Sequence, residues 1–221
     1  MDRKQLINNL AEDIAGISIN HPIKVAIDGV DAAGKTFLAD DLADNLLKYD
    51  RQVIRASIDS FHNPRSKRVA RGDLSPEGYY LDSFDYIRLQ KYLLEPLGPG
   101  GDLIFRRRIY DYISDHPIDN SFEEADPDSI LIFDGVFLLR PEIREHWDYS
   151  IFLKVSFETS LERAKYRDLD LFGSEELVHK RYKTRYIPGQ KIYLSQANPE
   201  KWATRVIDNN TLALPKLLGN T

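Results

Sequence analysis

The chain has 221 residues, 42% of them hydrophobic, with a formal net charge of -5 and no cysteine. That is enough apolar material for a packed core rather than disorder. The acid excess argues against sequence-independent nucleic-acid binding, and the lack of cysteine removes disulfide scaffolds, thiolate-bound zinc and thiol catalysis.

No apolar run approaches the roughly 18 residues that a membrane span needs. The opening "MDRKQLINNLAEDIAGI" is charged from its second residue and lacks the apolar core of a signal peptide. A cytoplasmic enzyme with no membrane or nucleic-acid partner fits these features, and a homo-oligomer is compatible with them.

Leu6, Ile7, Leu10 and Ile14 recur at helical spacing and predict a first helix. Residues 23–28 ("IKVAID") read as a short buried strand that stops at Gly29. The helix after Lys35 carries Phe37, Leu38, Leu42, Leu46 and Leu47 on one side. Residues 52–59 are the next strand, followed by the polar, basic loop "SFHNPRSKRVARGDLSPEG".

Residues 82–98 read as a helix capped by Asp82 or Ser83 and stopped near Pro96 and Gly98. A turn cluster then precedes one or two extended segments in "LIFRRRIYDYISD", where Arg106, Arg107 and Arg108 alternate faces. Residues 129–139, the most apolar run, predict a central strand. Residues 141–147 read as a short helix with Pro141 in its first turn. A strand at 149–155, two charged helices around Phe172 and Gly173, and a last strand at 203–209 complete the chain. Strands alternating with helices predict an α/β fold: a parallel sheet of about five strands flanked by helices, with no linker dividing it.

Gly29-Val-Asp-Ala-Ala-Gly34-Lys35-Thr36 fits GxxxxGK(S/T) and lies between a strand and a helix. Such a loop aims successive backbone N–H groups at one anion, with the helix N-terminus behind them. Gly29, Asp31, Ala32, Ala33, Gly34, Lys35, Thr36 and Phe37 therefore form the candidate nucleotide-binding set. Lys35 is expected on the β- and γ-phosphates and the Thr36 hydroxyl on Mg²⁺.

Asp59 and Asp134 fall at the ends of two expected strands, where the site of an open α/β sheet lies. One carboxylate can hold Mg²⁺ while the other accepts the proton of an attacking hydroxyl. Both are candidate metal ligands with Thr36. Asp28, just before the loop, reads as a residue that positions it.

The loop is followed, in order, by "DSFH" (59–62), "DSFD" (82–85), "YDYISDH" (110–116), "FDGVFLL" (133–139) and "LERAKYRD" (161–168). In this set the chain resembles the uridine kinase and phosphoribulokinase group of P-loop kinases over residues 23–209. The resemblance implies one P-loop kinase domain over 1–221, with a helical lid at 163–197. It also implies ATP and Mg²⁺ as cofactors, and phosphorylation of a hydroxyl on a nucleoside or nucleoside-like small molecule. A sugar-phosphate acceptor of the phosphoribulokinase type is the second expectation. A regulatory ATPase with no small-molecule acceptor is the third.

By position, Asp59 matches the acidic residue that activates the acceptor hydroxyl, and Asp134 a carboxylate near the metal. Arg163 and Arg167 match lid residues that close over the phosphates, joining Lys35 and Asp59 as the candidate catalytic set. Tyr110 and Tyr112 match aromatic positions at a nucleobase pocket. Three positions depart from the group. Tyr79 stands where an acidic residue holds ribose hydroxyls, Arg181 stands at a ribose-binding glutamine, and Asp115 displaces His116 by one. With His62 and Arg65, the residues Tyr79, Tyr110, Tyr112, His116 and Arg181 form the candidate acceptor-binding set.

Overall fold

The computed structural model describes residues 2–119 and 121–218; residue 120 and the extreme ends of the expected 1–221 unit lie outside them. Helix α1 (Arg3–Ala15) starts at Asp2, whose carboxylate accepts the Gln5 N–H, and buries Leu6, Ile7, Leu10 and Ile14. Strand β1 (Ile23–Gly29) is buried along its whole length, as a strand covered on both faces must be. Helix α2 (Lys35–Leu46) follows the glycine loop.

Strand β2 (Val53–Ser57) ends earlier than its sequence pattern suggests, and Asp59 lies in a 3-10 turn, Ile58–Phe61. The basic loop holds two short helices, α3 (Arg65–Arg68) and α4 (Pro76–Asp82); Ser75 caps α4. Helix α5 (Tyr86–Leu89) is capped by Asp85, not by Asp82 or Ser83, and runs into a π-helical turn, Gln90–Leu94. Strands β3 (Ile104–Phe105), β4 (Tyr110–Asp111), β5 (His116–Pro117) and β6 (Glu123–Glu124) make two small antiparallel ladders, β3 with β6 and β4 with β5.

Strand β7 (Ile130–Asp134) stops at its acidic residue, and residues 141–147 close only a 3-10 turn at Arg144–His146. Strand β8 (Tyr149–Lys154) leads into α6 (Phe157–Arg167), α7 (Leu169–Phe172) and α8 (Glu175–Arg181). A π-helical turn (Tyr182–Tyr186) joins α8 to α9 (Ile187–Ala197), which α10 (Pro199–Trp202) follows. Strands β9 (Arg205–Asp208) and β10 (Lys216–Leu218) end the described chain. None of the described helices is long and apolar enough to cross a membrane.

The main sheet has six strands in the order β10-β9-β8-β1-β7-β2, all parallel except β10. The sixth strand, against about five expected, is β10: it is short, and Leu217 is exposed, so no apolar run marks it. One face of the sheet packs on α1 and α2 through Leu10, Ile14, Leu38 and Leu42. The other is covered by Phe61, Tyr80, Leu93, Phe137 and Tyr193. Register places Ile27 and Ser57 on either side of Asp134, so the chain following each of these three strand ends emerges at one edge.

That edge is organised by Asp28, which is fully buried. Its carboxylate accepts the Gly29 N–H at 2.7 Å, the Leu139 N–H at 3.2 Å and the Tyr193 hydroxyl. Burial pushes the carboxyl up to about 6, against these donors, which favour the charged form.

Asp28→Asn leaves at least one of the three donors facing an amide that cannot accept it. The expected loss is about 1–3 kcal/mol, read from denaturant midpoints. The native state holds the Asp28 proton more tightly than the unfolded chain does. Stability from this group is therefore present near pH 4 and lost as pH rises through about 6. The gap between wild type and Asp28→Asn should narrow over that window.

Candidate active site

Gly34 adopts φ +93°, a left-handed conformation, and a Cβ there would sit 2.9 Å from the Asn209 amide nitrogen. No side chain among the described residues caps α2, which leaves its first N–H groups open to an anion. Lys35 is buried and donates to the carbonyls of Gly29 (3.1 Å) and Val30 (2.8 Å), folded back along the loop. Burial lowers its ammonium pKa. Asn209 donates to the Ala33 carbonyl at 2.7 Å and Ser160 to the Asp31 carbonyl at 2.7 Å. Phe37, in the first turn of α2, is 72% exposed.

The Thr36 hydroxyl donates to Asp134 at 2.8 Å. The other Asp134 oxygen accepts Arg55 at 3.1 Å, and Arg55 is also bonded to Asp40. Asp59 is brought alongside by close packing, because Ile58 occupies the space where any side chain on Gly135 would be; a Cβ there would lie 2.3 Å from Ile58. Asp59 is exposed to solvent, with protein on the sides of its carboxylate. The protein around it, and then the Asp134 charge, push it up to about 6, while Lys35 draws it down. Two neighbouring carboxylates and a hydroxyl form an all-oxygen donor set that suits Mg²⁺, whose charge would relieve their repulsion.

On the acceptor side, the His62 ring contacts Phe84 (4.6 Å between centroids) and Tyr112 (4.7 Å). Its Nδ1 lies 2.9 Å from the Asp59 carbonyl. A carbonyl only accepts, so Nδ1 carries the proton. Burial lowers the His62 pKa to about 4, which leaves Nε2 a neutral acceptor at physiological pH. Tyr110 is buried and donates to Asp115 at 3.1 Å. The same Asp115 oxygen accepts the Arg65 N–H (2.8 Å) and Arg68 (2.9 Å), with the Asp115 backbone at φ +59°. Arg65 is exposed, and the buried Arg68 Nε has no hydrogen-bond partner among the described residues. His116 is exposed beside the Ser114 carbonyl.

Among the lid arginines, Arg163 donates to the carbonyls of Asn209 (2.8 Å), Asn210 (2.9 Å) and Ala32 (3.5 Å), bracing α6 against the loop. Arg167 is bonded to Asp168 and the Tyr182 hydroxyl, while its charge acts on both Lys35 and Asp59. Arg181 pairs with Asp73 at 2.8 Å. Tyr79 is buried and donates to Asp31 at 2.8 Å. Lys35, Thr36, Asp59, Asp134, His62, Tyr112 and Arg167 are thus brought together as neighbours through contacts and charge. Tyr79, Tyr110, Arg163 and Arg181 are held in bonds within the protein.

Sequence reasoning missed Arg55, Asp115, Gln190 and Asn209. Arg55 was detectable as a charge inside the apolar run "VIRAS", and Asn209 as a polar residue closing a strand. Gln190 has no local signal. Asp115 was noticed only as an interruption.

No protein-family model matches the chain, and no curated protein matches it in sequence. Solved structures do match. A possible uridine kinase from Bacillus stearothermophilus is 24% identical, with a TM-score of 0.72 over 92% of this chain and 97% of that one. A candidate fructose transport system kinase from Silicibacter is 21% identical, with a TM-score of 0.72 over 86% and 95%. D-glycerate 3-kinase from Cryptococcus neoformans is 11% identical, with a TM-score of 0.59 over 97% and 99%. The fold is the one that these solved kinases share.

Asp115→Ala removes the acceptor of two hydrogen bonds that hold α3 down and of a third from Tyr110. Trypsin cleavage within residues 65–71 should accelerate about tenfold, the effect of roughly 1.4 kcal/mol of easier local opening. An unchanged cleavage rate would mean that α3 is held by other contacts.

Proposed function

We propose that the chain is a Mg²⁺-dependent kinase that transfers the γ-phosphate of ATP to a hydroxyl of a nucleoside or nucleoside-like small molecule. The observation that carries this reading is the position of Asp59. It lies beside Asp134 and within electrostatic reach of Lys35, the first residue of a helix that no described side chain caps. A carboxylate in that place has little use in binding a polyanion, but it can aim and deprotonate an alcohol.

Asp59 accepts the proton of the acceptor O–H as the oxygen forms a bond to the γ-phosphorus. The bond from that phosphorus to the bridging oxygen breaks, and ADP leaves with the electron pair. Lys35 swings from the Gly29 and Val30 carbonyls onto the phosphates. Arg167 adds positive charge from the lid, and Arg163 braces the helix that carries it. Thr36 and Asp134 would hold Mg²⁺, which supplies charge neutralisation between the phosphates. His62 Nε2 and the Tyr112 ring offer the acceptor a hydrogen-bond acceptor and a flat apolar face. Closure of residues 163–197 would exclude water that competes for the phosphoryl group.

A phosphorylated acceptor is the second reading. It is favoured on the acceptor side by the exposed Arg65 and by the Arg68 Nε, which has no hydrogen-bond partner among the described residues.

The test is ADP release across nucleosides, pentoses and their phosphates. Release should depend on one class of added alcohol. Asp59→Asn should lower kcat by roughly 10²–10⁴-fold with little change in ATP affinity. Hydrolysis indifferent to every acceptor, or full activity in Asp59→Asn, would overturn the assignment. Arg65→Ala should impair turnover of anionic acceptors alone.

A further inference from the structure

The phosphate loop carries a negative charge of its own. Asp31 is its third residue, and it is the strongest charged influence on Lys35, ahead of Asp28 and Asp134. Its charge also acts on Asp59, so the two carboxylates are electrostatic neighbours. A carboxylate there repels any polyphosphate that the loop receives.

The structure shows how that charge is restrained. One Asp31 oxygen accepts the Tyr79 hydroxyl at 2.8 Å and the Gln190 amide nitrogen at 3.0 Å. The Asp31 N–H donates to the Gln190 amide oxygen at 2.7 Å, so Gln190 grips residue 31 at both main chain and side chain. Both partners are fixed in turn. Gln190 is 1% exposed and donates to the Tyr186 carbonyl. The Tyr79 ring packs on Gly189, where a Cβ would lie 2.9 Å from it, and edge-on against Phe137 and Tyr186.

Tyr79 belongs to α4 on the acceptor side, and Gln190 to α9, the last helix of the expected lid. Two separate elements thus converge on a single carboxylate oxygen. The loop's other tethers, Ser160 and Asn209, bind backbone carbonyls and leave the carboxylate untouched.

We propose that Asp31 is a like charge held off the bound polyphosphate by Tyr79 and Gln190, and that these two positioning residues set how tightly the loop takes a triphosphate relative to a diphosphate. This rests on the kinase reading above. Without the two donors the carboxylate turns toward the phosphates and affinity falls. Without the carboxylate's charge, Tyr79 and Gln190 still order the loop but no longer govern affinity. The triphosphate, with more charge near Lys35, feels the difference more than the diphosphate.

The experiment is a double-mutant cycle on the full chain, read as calorimetric Kd for MgATP and MgADP. Asp31→Asn keeps an oxygen for both donors and removes the charge. It should tighten MgATP by about 3- to 10-fold, the effect of one partly screened neighbouring charge, and MgADP by less. Tyr79→Phe should weaken MgATP by a similar factor. Made in the Asp31→Asn background, Tyr79→Phe should change MgATP affinity by less than about twofold, because nothing remains to be held back.

Equal cost of Tyr79→Phe in both backgrounds would make Tyr79 a packing residue and overturn the proposal. So would Asp31→Asn that weakens MgATP or leaves it unchanged. Gln190→Met, run through the same cycle, keeps the test decisive if Tyr79→Phe folds poorly. Failure of the wild-type chain to bind either nucleotide would instead remove the kinase reading, and this inference with it.

Discussion

A loop that grips a polyanion through its backbone must be ordered before the anion arrives, since otherwise the ordering entropy is subtracted from the affinity. Here that order depends on one buried carboxylate. Asp28 draws together the N–H that opens the loop, the N–H at Leu139 beyond the central strand, and the Tyr193 hydroxyl on α9. Each donor comes from a different part of the chain. Burial raises the cost of the charge, and the three donors are what make that cost tolerable.

The same logic recurs outward from Asp28. Asp134 is shared between Thr36 and Arg55, Asp31 between Tyr79 and Gln190, and Asp115 between α3 and Tyr110. Only Asp59, among the acids of the site, accepts no hydrogen bond at its side chain among the described residues. An acid built to take a proton has to be free of other donors, whereas an acid built to position a segment has to be saturated with them. The distribution of partners therefore separates the structural carboxylates from the reactive candidate.

Much of this was legible in the sequence. The apolar run before Gly29 and the amphipathic stretch after Lys35 are local signals, and they became β1 and α2. Asp59 and Asp134 were legible as acids near strand ends, although Asp59 lies in a 3-10 turn, because Ile58 seats over Gly135 and pulls the chain out of the sheet. The helix expected at 82–98 shrank to α5 and a π-helical turn, because Asn63 ties down the carbonyls of Asp82 and Phe84 and Asp85 then takes the cap. Tyr79 and Arg163 were identified by position, but their hydrogen bonds run to the loop itself, across separations that no spacing rule reports. Strand β10 has no apolar alternation to give it away.

The central placement of β1 has a consequence for how the chain matures. β1 is made early, yet its partners are β7 and β8, which emerge from the ribosome much later, and Asn209 later still. Until then a strand that the folded protein buries along its whole length has both edges unpaired, a state prone to association with other chains. Contacts so distant in sequence slow folding, and the glycine loop can take shape only when nearly the whole polypeptide exists. A truncated product of this gene would thus lose the order of the glycine loop entirely rather than in proportion to the missing length.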